Sequence, residues 1–149
     1  MIVAFKHREH DDDALDLLIS TLTLSKFIHT QIIFSNGLVG SSWIKEGVAI
    51  KTINDVVTYP SLFTYVKIKD DKVDEKLVYD FFLANLGIPF DMKGAMLLAI
   101  IPYFEINENK YHCSKVCFEA LKYGGMKTKY NNTQSVKVSP SKLFKILTN

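Results

Sequence analysis

Residues 111–125, YHCSKVCFEALKYGG, combine two thiols with helical spacing. Cys113, Val116, Cys117, Ala120 and Leu121 fall at i, i+3, i+4, i+7 and i+8, so both sulfurs lie on the apolar side of a predicted helix that Gly124 and Gly125 stop. In the first turn of a helix the unpaired backbone N–H groups and the positive end of the macrodipole favour an anion. A thiol placed there is biased toward the thiolate, the form that attacks a carbonyl carbon. The plain alternative is a core helix that begins with a small buried residue, and a partner base decides between the two.

Thiol chemistry on a carbonyl needs an imidazole within hydrogen-bond reach, to take the proton and return it to the leaving group. The chain has four histidines. His112 adjoins Cys113, and neighbours at a junction into a helix point apart. His7 and His10 sit in a charged segment where an idle surface imidazole is the ordinary expectation. His29 stands at the start of a β-type stretch, sharing a face with Gln31 and Ile33, and it pairs with Cys113 if that face meets the cysteine helix. Cys113, Cys117 and a histidine do not make a zinc site of the usual kind, because the cysteine spacing is too wide and a fourth ligand is missing. Cys117, one turn into the helix, reads as core. Asp11, Asp12 and Asp13 lack the glycine and terminal glutamate of a calcium loop and instead suit the positive end of a following helix. Neither a metal nor a cofactor is expected.

The chain that must position these groups has 149 residues, of which 48% are hydrophobic, and reads as one domain over residues 1–149 that buries its own core. Eighteen basic and sixteen acidic side chains leave a net charge of +2, with no basic stripe, which argues against nucleic acid as a partner. The apolar run 95–104 is broken by Pro102 and is too short to span a bilayer, and residues 1–5 give way to charge too soon for a signal peptide. No integral membrane segment is expected. Two thiols four residues apart on one helix suit a reducing compartment, the cytoplasm, or the host-cell cytoplasm if the source is viral or phage.

Residues 2–5 read as a strand, and apolar positions between Ala14 and Leu22 as a helix. Residues 29–35 and 38–44 form a predicted hairpin around a two-residue Asn36-Gly37 turn, and 48–53 and 62–68 continue an antiparallel meander. A helix spans Val73 to Leu86 with Gly87 as its stop, 88–91 is a rigid turn, 93–101 is helical, and 105–110 is a polar loop. After the cysteine helix, 127–133 is loop, 135–138 a last strand, and Ser139-Pro140 the cap and first-turn proline of a closing helix over 141–147. The fold class is α+β, a central antiparallel sheet with packed helices.

In this order the segments resemble circularly permuted members of the NlpC-like, papain-like cysteine peptidase and amidase superfamily, which includes bacterial, phage and poxvirus proteins. His29-Thr30-Gln31-Ile32-Ile33-Phe34-Ser35-Asn36-Gly37 resembles the family's histidine strand and turn, and Gly47-Val48 its later Gly-Val. Leu86-Gly87-Ile88-Pro89-Phe90-Asp91 is similar to its Gly-x-Pro-Tyr turn, Tyr111-His112-Cys113-Ser114 to its Tyr-x-Cys-Ser helix start, and Ser139-Pro140-Ser141-Lys142-Leu143 to its closing segment. The resemblance implies a papain-like, NlpC-like permuted fold with the nucleophile at a helix N-terminus. Cys113 would be the nucleophile and His29 the general base, and an amide bond of a peptide or peptidoglycan fragment would be cut through a thioester. The family orients its histidine with a polar, often acidic, group from the next strand, a position that Ser41 occupies here, with Ser42 and Gln31 as substitutes. The backbone N–H of Cys113 is the natural oxyanion donor, with Tyr111 a second contributor if it does not simply pack. Trp43, Phe63, Tyr65, Phe81, Phe82 and Phe90 could line an apolar cleft, which keeps an acyl-lipid hydrolase or acyltransferase open. So does a catalytically inactive binding or structural module on the same fold. Oligomeric state is not legible.

Overall fold

The computed structural model describes residues 1–8, 26–69, 71, 73–97, 110–128 and 133–149. The helix expected over 14–22 with its aspartate cap, His10, most of the 105–110 loop and the end of the 93–101 helix lie outside the described residues. Five strands form one antiparallel sheet: β1 (Ile2–His7), β2 (Phe27–Ile33), β3 (Leu38–Trp43), β4 (Gly47–Thr52) and β5 (Phe63–Lys67). Their spatial order is β4-β3-β2-β1-β5. Only β2, β3 and β4 form the expected meander. β5 does not join β4 but lies at the far edge, opposite β1, with Ile2 facing Lys67 and Lys6 facing Phe63.

The crossover explains the second face of the sheet. Helix α1 (Ile53–Val56) and a 3₁₀ turn (Pro60–Leu62) carry the chain across it. On that face Ala4, Ile33 and Val39 form a small cluster that Ile53, Val56 and Phe63 cover. Strand alternation sends their neighbours Val3, Ile32 and Leu38 to the larger core on the opposite face. There the sheet is packed by α2 (Glu75–Ala84), α4 (Cys113–Tyr123) and α5 (Pro140–Thr148), while α3 (Met92–Leu97) follows the 87–91 turn.

Local signals set the element ends. Asp74 caps α2 by accepting from the N–H groups of Lys76 and Leu77 at 2.8 and 3.2 Å. Ser139 accepts from Lys142 N–H at 3.2 Å, with Pro140 in the first turn of α5. After α4 the Met126 N–H reaches Leu121 O at 2.9 Å and the Gly125 N–H reaches Lys122 O at 3.0 Å, a Schellman stop made possible by Gly125 at φ 97°. Two expectations change. The β2–β3 connection is a three-residue loop, with Phe34 O accepting from Gly37 N–H at 3.1 Å, Phe34 N–H donating to Leu38 O at 2.9 Å, and Gly37 at φ 81°. Residues 135–138 form no strand: Ser135–Lys137 is a 3₁₀ turn lying on α4. Ser135 bonds the Glu119 carboxylate and Val138 O accepts from the Ser114 hydroxyl at 2.6 Å, so helix side chains satisfy this segment in place of a sheet edge.

Candidate functional site

A relay of backbone contacts places the start of α4. Gly47, at φ 71°, lets the chain approach the 87–91 turn, where Val48 N–H donates to Ile88 O at 2.9 Å and Gly87 N–H to Val48 O at 2.8 Å. The turn then holds Tyr111, whose N–H donates to Pro89 O at 3.3 Å and whose carbonyl accepts from Asp91 N–H at 3.0 Å. From β3 the Ser42 hydroxyl donates to the same carbonyl at 2.8 Å. Ser42 thus faces the helix side, and orienting His29 is not its role. The landmarks at 47–48, 87–91 and 111–113, distant in sequence, are one contiguous support.

Cys113 is the first residue of α4 and is 7% exposed. Its neighbour His112 is the N-cap: Nδ1 accepts from Lys115 N–H at 3.2 Å. Lys115 locks the same junction, donating from Nζ to Lys110 O at 2.7 Å and lying 4.8 Å from the centre of the Tyr111 ring. Neither role was legible beforehand, because histidine is an uncommon cap and a lysine in an apolar helix reads as surface. The Tyr111 hydroxyl donates to Glu119 at 3.0 Å, and burial, then the Glu119 charge, raises its pKa. Its proton is therefore directed along α4 toward Glu119.

His29 pairs across the ladder with Lys6, and Gln31 with Ala4, so imidazole and amide lie on the face of the small cluster. Helix α4 packs the other face, through Val116, Cys117, Phe118, Ala120 and Leu121. The face shared by His29, Gln31 and Ile33 is therefore not the one that meets the cysteine helix, and a gap in the sheet joins the two sides instead. The β2–β3 ladder pairs Ile32 with Gly40 and Ile33 with Val39. Beyond it the buried Ser41 hydroxyl, not an amide, donates to Thr30 O at 2.7 Å. From the helix side the Cys117 thiol reaches the same carbonyl at 3.6 Å. From the other side His29 Nε2 lies 3.3 Å from Ser41 Oγ.

Since the Ser41 proton goes to Thr30 O, its oxygen is left to accept. By this hydrogen-bond pattern His29 carries its proton on Nε2, and Nδ1 is the basic nitrogen. Burial, then the positive charges of Lys6 and Lys51, pushes the His29 pKa down to about 4, so the ring is neutral at pH 7. Burial, then the neighbouring Cys113, pushes the Cys117 thiol well above its ordinary range. Cys117 is fully enclosed and unreactive by environment, as a core residue should be. Neither cysteine is in a disulfide.

His29 opens onto a cavity of about 560 Å³ whose wall also includes Gln31, Trp43, Lys51, Phe63 and Phe90. Cys113 is not among the described residues of that wall. Of the six aromatics expected at a cleft, Trp43, Phe63 and Phe90 are there. Phe82 is fully buried against Gly40, Phe81 packs on Phe82, Tyr111 and Tyr123, and the exposed Tyr65 donates its hydroxyl to Pro60 O at 3.1 Å. Among the described residues no group of three His, Cys, Asp or Glu is gathered to hold a metal, and no helix is long and apolar enough to cross a membrane.

The Thr30 side chain offers a test of this junction, since its Oγ1 is buried without a hydrogen-bond partner. Thr30→Val keeps the branched shape and the carbonyl while removing an unpaired hydroxyl, and is expected to stabilise the protein by about 1 kcal/mol. A urea midpoint that falls instead would show that the hydroxyl is bonded.

Comparison of the chain with protein-family models and with curated protein sequences found no match. What fold and site define is an α+β domain whose five-stranded antiparallel sheet carries a histidine–serine pair, with a cysteine-initiated helix against its larger core.

Proposed function

We propose that this chain is a papain-like, permuted NlpC-like thiol hydrolase cleaving an amide bond of a peptide or peptidoglycan-type substrate. The observation that carries this is the His29–Ser41 contact, at the gap where the sulfur-bearing side of α4 meets β2 and β3. Cys113 adds to the carbonyl carbon while its proton passes to the neutral His29. The resulting imidazolium returns that proton to the departing amine, and water then hydrolyses the thioester with His29 again as base. Ser41 holds the imidazole tautomer. His29 Nε2 lies against Ser41, which leaves Nδ1 to take the Cys113 proton once substrate seats, a tightening common to catalytic pairs. The same chemistry on an acyl ester is favoured by Trp43, Phe63 and Phe90 in the cavity wall. Two thiols on one helix suit a reducing compartment such as the cytoplasm.

Alkylation by iodoacetamide tests the assignment. Cys113→Ala is expected to abolish rapid labelling and Cys117→Ala to leave it intact, while His29→Ala slows it by about 100-fold. The His29-dependent part of the rate should fade only as pH falls toward about 4. Incubation with stem peptides and with acyl lipids, read by mass spectrometry, separates the substrate classes. The absence of Cys113 from the described cavity wall favours a second function, a binding module of the same fold. Labelling of Cys113 at the rate of an unactivated thiol, unchanged by His29→Ala, would establish that alternative.

A further inference from the structure

We propose that the cavity on the His29 face binds a small ligand that carries an oxyanion, a carboxylate or a phosphate, on an aromatic or apolar body. The cavity measures about 560 Å³, within the size of small-molecule sites. Lys6 of β1 and Lys51 of β4 both line it. Lys51 Nζ lies 4.6 Å from the centre of the Trp43 ring, so a cation and an aromatic wall adjoin. Gln31, only 1% exposed, also lines the cavity, and its Nε2 is buried with no hydrogen-bond partner. The Gln31 amide thus belongs to the wall, and no hydrogen bond within the protein holds its nitrogen. Trp43 and Phe63 offer apolar contact for the rest of the ligand.

The other charged groups at the wall do not reverse this preference. Lys45 adds positive charge, Glu46 pairs with Lys51 at 3.0 Å, and Asp55 accepts from the Thr52 hydroxyl at 2.6 Å. An incoming oxyanion replaces the solvent-facing Glu46 at Lys51. It also relieves the repulsion that Lys6 and Lys51 impose on a protonated His29, so ligand binding and His29 protonation favour each other. None of this depends on Cys113 attacking a substrate, so the site can exist in a hydrolase or in a binding module.

The test uses the whole chain with benzoate and phenyl phosphate as probes, and benzamide and benzylamine as neutral and cationic counterparts. Affinity is read by calorimetry and the His29 ring by NMR across pH. The acids are expected to bind more tightly than benzamide by about tenfold and, at saturation, to raise the His29 pKa by about one unit, which corresponds to about tenfold tighter acid binding when His29 is protonated than when it is neutral. Lys51→Met should weaken acid binding about tenfold, and Glu46→Gln should tighten it by removing the competing carboxylate. Preference for phenyl phosphate over benzoate would identify the ligand as a phosphate, and the reverse as a carboxylate. If benzamide binds as well as benzoate, if the His29 pKa is unmoved by saturating acid, or if no probe binds, the oxyanion site is overturned. The wild-type comparisons decide this even if a variant fails to fold.

Discussion

Alanine at position 47 is expected to destabilise the protein by about 3–5 kcal/mol and to loosen the start of the cysteine helix with it. Gly47 has φ 71°, where a side chain costs about 1–2 kcal/mol, and an added Cβ would stand 2.2 Å from Ile88 O. The obstacle is backbone, so relief requires the 87–91 turn to move off β4. That turn holds Tyr111 through Pro89 O and Asp91 N–H, and Tyr111 leads directly into His112 and Cys113. Gly37→Ala is the internal control: its φ of 81° imposes similar strain, but nothing lies within 4 Å of the added carbon. Urea unfolding should therefore show a cost of about 1–2 kcal/mol at position 37 and a much larger one at 47. Cys113 should also become more accessible to a bulky maleimide only in Gly47→Ala. Equal costs at the two glycines would mean that the turn does not depend on close approach to Gly47.

Acid should weaken the fold through His29. The unfolded imidazole titrates near 6.5 and the folded one at about 4, so between these values the unfolded chain binds more protons. Stability is therefore at its full value above pH 6.5, declines as pH falls through that window, and stops declining from this source below about 4. The decline amounts to about 1–3 kcal/mol, the lower figure allowing for the solvent that reaches the partly exposed ring. His29→Gln has no titrating ring, so its unfolding free energy should depend on pH more shallowly by that amount. Parallel curves for the two proteins from pH 4 to 7.5 would show that His29 titrates alike in folded and unfolded chains. The same shift makes the ring a weaker base than an ordinary imidazole, so proton transfer from Cys113 requires bound substrate to raise the His29 pKa.

Much of the secondary structure was legible because its signals are local. Ser139-Pro140 and Gly124-Gly125 act within a turn of their own positions, and alternation marked β2, β3 and β4 through side chains that sort to opposite faces. Cys113 at a helix start was likewise readable from spacing. The fold class and the helix that holds Cys113 were thus determined by the sequence itself. Only the tertiary structure decided strand order, because the insertion of β1 between β2 and β5 depends on pairings between distant segments that no local pattern encodes. It also placed His29 on the face away from α4 and sent Ser41 into the gap between β2 and β3. A strand's alternation says which residues share a face, but its neighbours in the sheet decide what each face meets.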